Sequence, residues 1–211
     1  MSRTKAVVFD FGGVMTTRTM PEKVQAFLLK KGIDWAIVEA GYAKYRRLMD
    51  GGFITLREMY SLIWADNDIE FSDADYEELL KVDAESWLTD YRNLATRDWM
   101  RELKAKGFKL GILTNMPPAF APLFREAYAD FVELADAVVI SGLERMFKPQ
   151  QRIYRLMEKR LNLSPEEILF VDDVESNCAA AEKAGWSAIR FQSVEQARMA
   201  SLRSVAGRIC A

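Results

Sequence analysis

Four stretches of the chain carry groups able to do chemistry. "VVFDFGGVMTT" (7–17) places Asp10 ahead of Gly12 and Gly13; "ILTN" ends in Thr114 and Asn115; "FKPQQRIY" holds Lys148; "ILFVDDVESN" holds Asp172 and Asp173. The 211 residues include no histidine, which excludes Ser-His-Asp and Cys-His catalysis and histidine-based zinc sites. Acid–base, nucleophilic or metal chemistry must therefore run on carboxylates, lysine, hydroxyls or thiols. Three acids brought to one point repel one another unless a cation lies between them. With oxygen ligands alone, Mg²⁺ is the natural choice. Lys148 and the Thr114 hydroxyl would then hold a dianionic group beside the metal. "MPP" (116–118) is expected to start a helix directly after Asn115 and aim backbone N–H groups at the same place. Lys148-Pro149 is expected to set the lysine just ahead of another helix, with proline in its first turn. Together these describe a site for a phosphate.

Each group alone has a plain structural explanation. Asp before glycine is ordinary turn chemistry, Thr-Asn before prolines is a common loop, and paired aspartates cap helices. Their placement in the fold decides otherwise. Short apolar, β-branched runs recur at 6–11, 109–115, 136–141, 167–173 and 187–191. Continuous apolarity indicates strands buried on both faces, hence a parallel sheet. Helical periodicity lies between them, as in "RIYRLMEKRL", where Ile153, Leu156, Met157 and Leu161 share a face. "SPEE" (164–167) is a capping box with proline inside it. Strand–helix alternation of this kind predicts a doubly wound α/β sheet. In such a sheet ligands bind at the carboxyl ends of the strands, and the four groups fall there in sequence.

One interval breaks the alternation. Residues 16–92 show no convincing strand but three helical stripes: Val24, Phe27 and Leu28; Leu56, Met59, Tyr60 and Ile63; Tyr76, Leu79 and Leu80. "MDGGFIT" (49–55) supplies a turn between helices. The expected organisation is an α/β core of 1–15 and 93–211 and a helical cap of 16–92 over the end of the first strand.

The combined motifs resemble those of the haloacid dehalogenase-like superfamily, mostly phosphatases, over essentially the whole chain. "VVFDFGGV" is similar to its first motif, "ILTN" to its second, the lysine of "FKPQQRIY" to its third and "ILFVDDVESN" to its fourth. The resemblance implies a Rossmann-like core with a helical cap inserted after the first motif. It implies that Asp10 attacks phosphorus and forms an aspartyl-phosphate. Mg²⁺ would be held by Asp10, Asp172 and the Gly12 carbonyl, with support from Asp173. Thr114, Asn115 and Lys148 would grip the phosphoryl oxygens, with Gly12 and Gly13 close to the substrate. Asn177 would orient Lys148 or the metal's ligands.

Gly12 departs from the pattern. In most phosphatases of the family an aspartate there protonates the leaving oxygen and then activates water. A sub-branch with glycine at this place ("DLGN", "DFGG") includes sugar-phosphate phosphatases, whose anomeric oxygen leaves more readily. The resemblance thus implies an Mg²⁺-dependent hydrolase of small phosphomonoesters, with sugar phosphates as one candidate class. The alternatives are a pseudo-phosphatase that binds phospholigands or proteins, and a metal-independent 2-haloacid dehalogenase. Members that cleave carbon–halogen bonds carry small polar residues where this chain has Asp172 and Asp173.

Other segments read as structure. Tyr42, Tyr45 and Met49 form a helical core stripe, with Arg46 and Arg47 on its solvated side as possible contacts for a second anionic or sugar group. Trp35, Trp64 and Trp87 are expected to pack the cap, and Cys178 to pack a helix. Thr16 and Thr17 are expected to line the entrance, and residues 193–209 to form a closing helix. Half the residues are hydrophobic and 28% charged, a globular balance. Net charge is −2 and pI about 5.5, without a basic block, so no nucleic-acid surface is expected. The two cysteines, Cys178 and Cys210, suit a reducing compartment. No membrane-length apolar run occurs and the N-terminus enters a strand pattern at once, so a soluble cytoplasmic protein acting on a small phosphorylated metabolite is expected, as monomer or homodimer.

Overall fold

The computed structural model describes residues 4–17, 22–88 and 91–205. Cys210 and the Trp87 side chain, and the last residues of the expected closing helix, lie outside the described residues. Among those described, the order is β1 (Ala6–Phe9), α1 (Glu22–Lys30), α2 (Trp35–Asp50), α3 (Leu56–Asp66), α4 (Asp73–Leu88), α5 (Leu94–Ala105) and β2 (Lys109–Thr114). Then follow α6 (Ala121–Ala127), α7 (Ala129–Val132), β3 (Ala137–Ile140), α8 (Ser141–Glu144) and α9 (Gln151–Leu161). The chain closes with β4 (Ile168–Asp172), α10 (Glu175–Lys183), β5 (Ser187–Arg190) and α11 (Val194–Val205).

The five strands form one parallel sheet in the order β3-β2-β1-β4-β5. All five expected runs are strands, trimmed at their ends. Strand order reverses beside β1, the place where doubly wound sheets bind ligands. Register aligns the carboxyl ends: Phe9 pairs with Ile112 and Val171, and Thr114 with Ile140. Alternate residues pack opposite faces, as a pleat requires. Val7, Phe9, Leu169 and Val171 join one core with Trp99, Phe124 and Val194. Ala6, Val8, Ile168 and Phe170 join the other with Ile153, Tyr154 and Met157 of α9.

Helices α1 to α4 occupy the interval without strands, and the predicted stripes are their buried faces, Leu80 being only partly buried. The Thr55 hydroxyl and Glu58 form a reciprocal capping box at the start of α3, which fixes the turn after "MDGG". Tyr42 and Tyr60 both donate to Asp83 Oδ2, at 2.8 and 2.7 Å, tying α2, α3 and α4 together. Where the chain leaves and re-enters the sheet region, Thr16 bridges Arg92 and the Asn93 N–H donates to the Met15 carbonyl at 2.8 Å.

Two helix starts differ from expectation. Pro118 opens a 3₁₀ turn (Pro118–Phe120), and α6 begins only at Ala121, so "MPP" does not aim a helix N-terminus at the site. Pro149 precedes the N-cap Gln150 of α9 rather than lying in its first turn, and the Lys148-Pro149 peptide is cis. The "SPEE" capping box exists but spans a single 3₁₀ turn leading into β4.

Candidate active site

Asp10 follows β1 directly, its N–H donating to the Val171 carbonyl of β4 at 2.9 Å. Its Oδ1 accepts the Phe11 N–H at 2.7 Å and lies 2.7 Å from Lys148 Nζ. The same ammonium donates to Asp172 Oδ2 at 2.7 Å. Lys148 is 2% exposed and Asp172 fully buried, so this charged triad is shielded from water. Burial, opposed by Lys148 and reinforced by Asp172, pushes the Asp10 carboxyl up to about 7. Lys148 is held above its ordinary range by the two carboxylates, which outweigh the effect of its burial.

Around this triad the partners are backbone and amide groups. Asn177 Nδ2 donates to both oxygens of Asp172 at 3.1 Å, and the Val174 N–H donates to Oδ1 at 2.8 Å. Asn177 therefore orients Asp172. Asn115 is spent differently from the expected grip on phosphate: its Oδ1 accepts the Lys148 N–H at 2.8 Å and its Nδ2 donates to the Lys148 carbonyl at 3.0 Å. It fixes the lysine's backbone, while buried Thr114 lines the cavity beside it.

The carboxylates of Asp10, Asp172 and Asp173 offer oxygens within 4.8 Å of one another, Asp173 being the most exposed. Three acids face one lysine here, and burial together with Asp172 raises Asp173 as well. A cluster of oxygen donors with negative charge in excess fits a hard divalent cation.

Gly13 and Gly12 differ. Gly13 has φ +71°, and a Cβ there would strike the Asp173 carboxylate; glycine is required by conformation and by contact. A Cβ on Gly12 meets nothing within 4 Å, so the absence of a side chain there has no steric cause. Thr16 is buried and accepts the Gly13 N–H at 3.0 Å; it braces the loop instead of lining the entrance, which Thr17 does. Cys178 is buried, its thiol pushed up to about 12 mainly by burial, in keeping with a packing role.

A cavity of about 630 Å³ opens over these strand ends. Tyr42, Arg46 and Arg47 of α2 also line it, so the arginines face the site and not bulk solvent alone. Asp50, at the end of the same helix, is a cavity residue that sequence reasoning missed. "MDGG" signals a turn, and nothing local shows that its acid is buried.

A family model described as haloacid dehalogenase-like hydrolase matches residues 4–185. The chain belongs to the haloacid dehalogenase-like hydrolases. Acyl-CoA dehydrogenase family member 10 of Mus musculus is 36% identical over 101 residues, 46% of this chain and 9% of the mouse protein. Sesquiterpene phosphatase astK of Aspergillus oryzae is 35% identical over 86 residues, 41% of this chain and 43% of the fungal protein. The chain thus matches less than half the length of either relative. Among solved structures, the magnesium complex of a family enzyme from Bacteroides thetaiotaomicron superposes with TM-score 0.71 at 22% identity, covering 90% of this chain and 94% of that one. At that identity the likeness is one of fold. For this haloacid dehalogenase-like hydrolase, no helix among the described residues is long and apolar enough to cross a membrane.

Proposed function

We propose that the chain hydrolyses small phosphomonoesters with Mg²⁺, Asp10 acting as nucleophile, in a reducing cytoplasmic setting. The observation that carries this reading is the buried Asp10–Lys148–Asp172 triad, whose Asp10 and Lys148 line the cavity, with Asp173 beside it. Both bonds to Asp10 fall on Oδ1, and we assign the attack on phosphorus to Oδ2. An aspartyl-phosphate forms, the alcohol leaves, and water then hydrolyses the acyl phosphate. Lys148 and Thr114 hold the phosphoryl oxygens, where negative charge is spread in the transition state. Asn115 and Asn177 keep Lys148 and Asp172 in place through the bonds described above. Asp10, Asp172, Asp173 and the Gly12 carbonyl would hold Mg²⁺, which when bound offsets the repulsion between anionic nucleophile and anionic phosphate.

Residues 16–92 would serve as a cap that sets substrate choice, with Tyr42, Arg46 and Arg47 lowered toward the part of the substrate beyond its phosphate. The fungal relative's name, a phosphatase, supports the reaction class. The test is to quench the enzyme in acid during turnover and map the phosphoryl group by peptide mass spectrometry. Phosphorylation of the peptide bearing Asp10 is expected; phosphorylation elsewhere, or none during steady turnover, would overturn the nucleophile assignment.

A further inference from the structure

Breaking a phosphate ester of an alcohol leaves an alkoxide that needs a proton, and a positioned acid is worth roughly 10²–10⁴-fold. Gly12 and Gly13 bring no side chain to this task. The acid must come from another group lining the cavity. Asp10 is assigned as nucleophile and Asp173 to the metal. Lys148 is clamped between two carboxylates and held in its charged form. Arg46 and Arg47 do not give up protons near neutral pH. The Tyr42 hydroxyl is spent on Asp83. Asp50 remains.

Its position suits the role. Asp50 is 4% exposed and borders the same cavity as Asp10 and Lys148. Although it ends a helix of the inserted segment, it is fastened to the core. The Ser141 hydroxyl donates to the Asp50 carbonyl and accepts the Met116 N–H at 2.8 Å. Gly52, with φ +68°, lies against the Gly142 carbonyl so closely that a Cβ would collide with it. The residues that fix Asp50 thus lie beyond the ends of β2 and β3, the strands that lead to Thr114 and Lys148. Arg46 Nε donates to Asp50 Oδ2 at 3.1 Å. The charged groups acting on the carboxyl are Arg46 on its own helix and Lys148 on the loop between α8 and α9. Burial outweighs both and raises its affinity for a proton.

We propose that Asp50 is the general acid and base of this site, supplied by α2 in place of the loop after β1. As Asp10 attacks, the bond from phosphorus to the ester oxygen breaks, and that oxygen takes the Asp50 proton to leave as the alcohol. Asp50, now a carboxylate, accepts a proton from the water that attacks the aspartyl-phosphate. The bond between phosphorus and Asp10 then breaks, and Asp10 and protonated Asp50 are restored with inorganic phosphate released.

This assignment rests on the phosphatase reading, and one experiment separates the two. kcat/KM with Mg²⁺ is measured across pH for p-nitrophenyl phosphate, whose leaving group needs little protonation, and for glycerol 2-phosphate, whose leaving group needs it fully. In the wild type, kcat/KM for the alkyl ester is expected to fall with rising pH where the aryl ester's does not. In Asp50→Asn the alkyl ester should lose roughly 10²–10⁴-fold, at least tenfold more than the aryl ester, and the alkyl-specific pH limb should vanish. Equal losses for both esters would make Asp50 a structural residue and overturn the proposal. If Asp50→Asn does not fold, matching wild-type pH profiles for the two esters overturn it alone. Absence of phosphate release from both esters by the wild type would instead overturn the phosphatase reading and this assignment with it.

Discussion

Gly12 and Gly13 stand side by side after β1 yet carry different constraints. Gly13 holds φ +71° against the Asp173 carboxylate, and a left-handed conformation costs an ordinary residue about 1–2 kcal/mol. Gly13→Ala is expected to lose at least that much stability in urea unfolding, and more from the collision. Gly12→Ala enters open space and is expected to stay within about 0.5 kcal/mol of wild type. The reverse order would contradict the loop geometry. Asp10 carries a pH signature of its own. In the folded protein its carboxyl is raised from 3.8 to about 7, so the folded state holds a proton that the unfolded chain has lost over this window. Stability from this source is full below pH 4 and is lost as pH rises through about 7. With chelator present, the Tm of Asp10→Asn minus that of wild type is expected to grow from pH 4 to pH 7; a flat difference would contradict a carboxyl raised by burial in spite of its Lys148 partner. The identity of Asp10, Lys148, Asp172 and Asp173 as a cluster was legible in the sequence, because each ends or follows an apolar run. That Asn115 binds the Lys148 backbone was not, since the pairing depends on how two distant loops meet.

At the level of elements, strands were readable because parallel strands buried on both faces leave continuous apolar runs, as in "AVVF" and "ILFVD". Helix starts after proline were not. Pro118 and Pro149 suit a first turn by their fixed φ, but Pro118 entered a 3₁₀ turn and Pro149 stayed outside the N-cap. The end of α2 shows the same limit. Its last residue is held through the backbone by Ser141, and the following Gly52 lies against Gly142; both partners lie far along the chain and are invisible to local pattern. Ser141→Ala removes a buried hydroxyl that serves both Met116 and Asp50. It is expected to cost about 1–3 kcal/mol in chemical denaturation, the penalty for leaving such groups unpaired. A change below about 0.5 kcal/mol would show that this contact does not hold α2 to the core.

At the scale of the molecule, the sheet gathers the site and α2 of the helical insertion borders it. The β3-β2-β1-β4-β5 order brings Asp10, Thr114 and Asp172 to one end of neighbouring strands, and the cavity there spans both sheet and α2. A fold that concentrates three carboxylates around one buried lysine keeps a costly arrangement. Under the proposed function, catalysis on a phosphate with a metal ion would account for that cost. Substrate choice was not legible at any level of the sequence, because under the proposed function it would depend on how far Tyr42, Arg46 and Arg47 stand from a bound phosphate. The most direct measurement is phosphate release from a panel of phosphomonoesters, with Mg²⁺ and with EDTA, by wild type and Asp10→Asn. Turnover that needs Mg²⁺ and disappears in Asp10→Asn is the predicted result. Phosphate release that persists in EDTA or in the variant, or none from any ester by the wild type, would contradict it.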